Sequence, residues 1–178
     1  MLGSLLNAYK ADGVIEKHNK MSMLDLLSSH TNCFDRTCMP AHFTASAWLL
    51  DYTGNRCLLM HHAKLNRWVQ LGGHCDGNSD LLAVAVREAQ EESGIMAIEP
   101  VQTSIFDIDI HDIPAHHQEP SHQHFDVRFL LRAKDDVPFV RNEESLALAW
   151  FDSNKANLPS QEASILRMFD KWQAYLNR

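Results

Sequence analysis

Apolar positions near the N-terminus recur at helical spacing. Leu2, Leu5, Leu6 and Tyr9 form a short stripe that Gly13 is expected to interrupt, and Ser22 can cap a second helix carrying Met23, Leu24, Leu26 and Leu27. Residues 1–38 thus read as a helical N-terminal extension. From Phe43 the pattern changes to that of strands. Phe43–Leu50 and Arg56–His62 are predicted strands around a turn at Asp51–Asn55, and Trp68–Gly73 is a lead-in to the next element. Leu81–Ser93 returns to a helical period, with Leu82, Ala85, Val86 and Ala89 on one apolar arc. Strands are predicted at Thr103–Ile110, Phe125–Leu131 and Leu146–Phe151, with a loop over His111–Gln123. Ser160 is placed to cap a terminal helix whose stripe is Ile165, Met168, Phe169, Trp172 and Leu176. Strands around two helices predict an α+β layered domain over residues 39–178.

Composition narrows the classes. With 178 residues, 45% hydrophobic and 22% charged, the chain supports one folded domain and excludes wholesale disorder. A formal net charge of −7 with no basic stripe argues against long nucleic acid as a partner and admits a small anionic substrate only with a metal to neutralise it. No apolar run reaches membrane-spanning length, and the N-terminus lacks the features of a secretory signal, so a cytoplasmic location is expected. Cys33, Cys38, Cys57 and Cys75 are irregularly spaced and read as reduced thiols. The run His30, Cys33, Cys38, His42 has the residue types of a zinc site without a diagnostic spacing.

Chemistry concentrates in the helix over Leu81–Ser93. Glu88, Glu91 and Glu92 stand at i, i+3 and i+4, on one side of it. Like charges so placed destabilise a bare helix by roughly 0.2–0.5 kcal/mol per pair. A cation among them reverses that sign, and hard oxygen ligands suit Mg²⁺ or Mn²⁺, which in turn grip phosphate oxygens.

Gly73, Arg87, Glu88, Glu91, Glu92, Gly94 and Ile95 fall on the pattern G-x5-E-x7-R-E-U-x-E-E-x-G-U, with Ala89 at the first aliphatic position. The stretch from Gly73 to Ile95 therefore resembles the Nudix box, and the chain resembles the Nudix (MutT-like) hydrolases from about Ala41 onward. One position departs: Ser79 stands at the first Glu of the box. Leu71, where many relatives carry proline, is a lesser departure.

The resemblance implies a mixed β-sheet sandwiched between α-helices and a metal-dependent hydrolase cleaving a diphosphate in a nucleoside diphosphate linked to another moiety. It implies Glu88, Glu91, Glu92 and the Gly73 carbonyl as ligands of Mg²⁺ or Mn²⁺, with Arg87 orienting the carboxylates. One of Glu88, Glu91 and Glu92, or a loop carboxylate, would be the general base, and Glu144 is ranked ahead of Glu143 for an added catalytic or metal role. A homodimer is the family-level expectation.

Ser79 can cap the helix but cannot replace a carboxylate, and Asp76 and Asp80 are the residues near enough in sequence to compensate. A catalytically weakened nucleotide-binding or sensor module is the alternative this position raises. His124, Asp126 and Arg128 share one strand face by the period of two, a candidate substrate wall on which Arg128 would meet phosphate or pair with Asp126. The histidines at 111, 116, 117, 122 and 124, with His61, His62 and His74 near the box, read as a polar surface loop, a substrate contact or a transition-metal site. Trp68 is read as core or as a stacking platform for a base.

Overall fold

The computed structural model describes residues 1–115 and 120–177. Helices α1 (Leu2–Ala8) and α2 (Gly13–Ser29) precede strands β1 (Ala41–Leu50), β2 (Arg56–His62), β3 (Arg67–Val69) and β4 (Leu71–His74). Then follow α3 (Leu81–Ser93), β5 (Ile98–Pro100), β6 (Asp107–Ile113), β7 (His122–Ala133), β8 (Ser145–Asp152) and α4 (Ala163–Leu176). All eight strands join one sheet in the order β3-β2-β1-β7-β5, with β4 on β1, β6 on β7 and β8 on β2. The β1–β7 pair is parallel, from Ala41↔Gln123 to Leu50↔Arg132, and the other pairs are antiparallel, which makes the sheet mixed.

Strand β1 is buried along its whole length because helices cover both sheet faces. Its residues Phe43, Ala45, Ala47 and Leu49 share a core with Leu81, Val84, Ala85 and Ala89 of α3. Trp48 and Leu50 point the other way, into a second core with Ile165, Met168, Phe169 and Trp172 of α4. His42, Thr44 and Ser46 have the same parity as Trp48, so the α4 side of the sheet is apolar at one end and polar at the other.

Residues 1–38 are tied into this body. Leu2, Leu6, Tyr9, Met23 and Leu26 belong to the core that contains α3. Glu16, 3% exposed, accepts from Tyr9 Oη at 2.6 Å and pairs with Lys171 at 3.0 Å. Lys171 also reaches Asp107 at 2.6 Å, and Asp107 pairs with Arg167 at 2.8 Å and Arg128 at 3.0 Å. Burial, followed by the Asp107 and Glu16 carboxylates, holds the Tyr9 phenol far above its usual range.

Several boundaries differ from expectation. Gly13 starts α2 rather than ending a helix, and Ser22 lies mid-helix; the Glu16 carboxylate fixes the helix start by accepting from Asp12 N at 3.2 Å. The expected loop over His111–Gln123 is partly strand, since β6 and β7 continue their pairing through His111↔His124, Asp112↔Gln123 and Ile113↔His122. His116 and His117 lie outside the described residues. Asp80, not Ser79, caps α3, its Oδ1 accepting from Ala83 N at 3.1 Å. The terminal helix begins at Ala163, so Ser160 precedes its cap, and Leu176 is exposed rather than part of the buried stripe. Among the described residues, no helix is long and apolar enough to cross a membrane.

Candidate active site

Helix α3 lies against β4 and β1 because its apolar arc fills the core between them. That docking brings its last turns to the glycines of β4. Gly72 N donates to Glu92 Oε2 at 2.8 Å. A Cβ on Gly73 would lie 2.5 Å from Glu88 Oε2, so the absence of a side chain is what lets Glu88 approach the strand. Gly94 ends α3 in the left-handed conformation at φ 70°, its N–H bonding to Gln90 O.

The carboxylates differ in environment. Glu92 is 3% exposed, Glu88 is half-buried and Glu91 is exposed. Burial pushes Glu92 up to about 8; the Gly72 hydrogen bond opposes this, while Glu88, Glu144 and Glu91 add to it. Burial also raises Glu88, against the opposing Arg87 guanidinium. Arg87 Nη2 bridges Glu88 Oε1 at 2.6 Å and the His74 carbonyl at 2.9 Å. Glu144 is exposed in the turn just before β8, and its charge is felt at Glu88, Glu92 and His62. Its carbonyl accepts from Ala63 N at 2.9 Å beside an irregularity in the β2–β8 pairing at His61/His62.

These groups fit a divalent cation. They are hard oxygen donors of like charge, the most buried of them is held above its usual range by burial and its acidic neighbours, and Gly73 leaves the strand bare where Glu88 arrives. With Glu88 drawn to Arg87 and Glu92 to Gly72 N, a shared ion requires these side chains to turn toward each other. At position 79 no carboxylate is recovered. Asp76 is bonded to Arg36 at 2.7 Å and Asp80 is spent on the helix cap.

The expected substrate wall has a different character. Arg128 is 2% exposed and surrounded by Asp126 at 2.7 Å, Asp107 at 3.0 Å and Asp109 at 3.3 Å. Asp126 is as buried and accepts from Ser46 at 2.6 Å, Thr44 at 3.2 Å and Gln70 at 3.1 Å. These two residues form an internal ion-pair network instead of an open wall, because the acidic β6 residues across the strand pairing saturate the guanidinium. Ser46, Gln70 and Asp107 escaped the sequence reading, since only the pairing of distant strands brings them together. His124 is half-buried among other imidazoles. The run His30, Cys33, Cys38, His42 does not assemble: Cys33 and Cys38 are core residues and His42 joins histidines of β4 and β7. Trp68 packs at the edge of the α4-side core, stacked on His61 at 5.3 Å.

Residues 40–173 match the NUDIX domain family, and the chain belongs to that family. No protein with a curated description matches the sequence. Among solved structures it is similar to a C. elegans Ap4A hydrolase binary complex, at 17% identity and TM-score 0.57, covering 76% of this chain and 97% of that one. It is similar to E. coli dihydroneopterin triphosphate pyrophosphohydrolase at 17% identity and TM-score 0.59, over 76% and 96%. A UDP-X diphosphatase superimposes over 98% of this chain and 90% of its own, at 15% identity and TM-score 0.54. The protein is thus a member of the NUDIX domain family, with the expected mixed sheet between helices.

Proposed function

We propose that this protein hydrolyses the phosphoanhydride of a nucleoside diphosphate linked to another moiety, with Mg²⁺ or Mn²⁺ held by Glu88, Glu91, Glu92 and the Gly73 carbonyl. The observation that carries this reading is Glu92, buried on α3, fixed by the Gly72 N–H and adjacent to Glu88 against Gly73. When bound, the ion neutralises phosphate charge and makes a water more acidic. Arg87 keeps Glu88 aimed by its hydrogen bond, the role an outer partner plays at a metal site. Glu144, exposed at the rim, takes the proton of the attacking water. His124, Asp126 and Arg128 lie on the α4-side face of the sheet, where buried Asp126, held by Arg128, braces Ser46 and Gln70 beside β4.

The three structural relatives are named for different phosphate compounds, Ap4A, dihydroneopterin triphosphate and UDP-X, so the reading stops at the shared linkage. A panel of sugar nucleotides, ADP-ribose, dinucleotides and nucleoside triphosphates, assayed with Mg²⁺ and with Mn²⁺ and run in ¹⁸O-water, tests it. Metal-dependent turnover with ¹⁸O in one phosphate product is expected; no turnover on any member contradicts it. Ser79 supports a second reading, a nucleotide-binding module of weakened turnover, because neither Asp76 nor Asp80 restores the missing carboxylate. Tight nucleotide binding without hydrolysis would favour it.

A further inference from the structure

Five histidines converge at the polar end of the α4-side sheet face. His42 on β1 has ring-centroid separations of 5.3 Å from His74 on β4, 4.9 Å from His124 and 5.0 Å from His122 on β7. His74 and His124 lie 4.9 Å apart, and His111 on β6 is 5.5 Å from His124. Pairing explains the assembly: His42 opposes His124 in the parallel ladder and His111 opposes His124 in the antiparallel one. One ring nitrogen each of His42, His74 and His124 lies within 4.8 Å of the others.

The second observation is His42 itself. The ring is 1% exposed, and its Nδ1 faces the Cys38 carbonyl at 3.3 Å, an acceptor that requires the proton to be on Nδ1. The Nε2 lone pair is then left buried without a hydrogen-bond partner among the described residues. A buried acceptor without a donor costs about 1–3 kcal/mol. A carbonyl-oriented imidazole with a free, inward nitrogen is the arrangement of metal-binding histidines. His122 shares only the carbonyl contact, with Nδ1 2.9 Å from the Pro120 carbonyl, since its Nε2 is engaged with His124 Nε2 at 3.3 Å.

We propose that His42, His74 and His124 bind a divalent first-row transition ion, with Zn²⁺ as the reference, in a site separate from the carboxylate cluster. Imidazoles select Zn²⁺, Ni²⁺, Co²⁺ or Cu²⁺ over Mg²⁺, which prefers oxygen. Three protein nitrogens leave a coordination position for water or a ligand oxygen. The two sites occupy opposite sheet faces: a Cβ on Gly73 meets Glu88, one on Gly72 meets Ser46, and His74 shares the parity of Gly72.

The test is a Co²⁺ titration of untagged, chelator-treated full-length protein in excess Mg²⁺, which saturates the carboxylate cluster. One equivalent of Co²⁺ is expected, with visible absorption of a low-coordinate nitrogen-ligated ion that Zn²⁺ displaces. His74→Gln and His124→Gln should each weaken it by more than about tenfold, and Glu88→Gln should not. X-ray absorption of the wild-type zinc form should show imidazole nitrogens at about 2.0–2.1 Å and needs no variant to fold. Absence of saturable binding, an oxygen-only shell, or undiminished binding in both folded histidine variants would overturn the site. Its result is independent of turnover, so it can fail while the hydrolase reading stands.

Discussion

Gly72 donates its backbone N–H to Glu92 Oε2 at 2.8 Å, joining the strand before the box helix to the buried carboxylate near that helix's end. The contact needs a residue without a side chain. A Cβ on Gly72 would lie 2.7 Å from the Ala45 carbonyl and 2.7 Å from Ser46 Cα, which are backbone atoms of the central strand and cannot swing aside. Gly72→Ala should therefore destabilise the fold by about 1–3 kcal/mol, as overpacking does. Urea unfolding checks this; an unchanged midpoint would show that β4 shifts freely.

Arg87 links the His74 carbonyl to Glu88, so its loss should act through the metal rather than the fold. Arg87→Gln is expected to weaken metal activation by about 10–100-fold, the usual cost of losing an outer partner. The apparent metal affinity from rate against Mn²⁺ concentration measures it. A fall in stability with unchanged metal dependence would assign Arg87 a structural role.

The Arg128 network predicts a stability effect. Arg128→Met leaves Asp107 and Asp126 buried without the guanidinium between them. Removing one partner of a buried ion pair costs about 3–5 kcal/mol. Thermal or urea unfolding should show a loss of that size, and a loss near zero would mean that the neighbouring Arg167 and Lys171 compensate at Asp107.

Much of this organisation was legible beforehand, for identifiable reasons. The pattern alone places the helix Leu81–Ser93 and the strand Arg56–His62 at their observed limits, because each combines a clear period with polar or glycine boundaries. The glutamates and the β4 glycines were legible because they are local: one helix and the strand just before it. What escaped was non-local. The polarity of His111–Gln123 resembled a loop, but its backbone is partly satisfied by the β6–β7 ladder. Arg128 looked like a substrate contact because the sequence does not reveal that Asp107 and Asp109 arrive from across the sheet. Sequence proximity groups His42 with nearby cysteines, whereas its neighbours come from β4 and β7. Glu16 anchors α2 through Tyr9 and Lys171, a contact spanning most of the chain.

Ser79 separates catalytic from binding readings. The carboxylate that the box carries there is supplied neither by Asp76 nor by Asp80. For a competent hydrolase, Ser79→Glu should change kcat/KM by less than about tenfold, or under 1.4 kcal/mol. A gain well beyond that would identify a weakened module whose turnover the glutamate restores.

The central claim is that the α3 carboxylates run a metal-dependent hydrolysis, and the most direct measurement compares wild type with Glu92→Gln on the best panel substrate across a Mg²⁺ titration. Glutamine keeps the size of the side chain and an acceptor for the Gly72 N–H, so the fold should survive. The expected result is saturable Mg²⁺ activation in wild type and, because Glu92 is a metal ligand, a loss of about 10²-fold or more in a folded variant. Equal, metal-independent rates in the two proteins would contradict it.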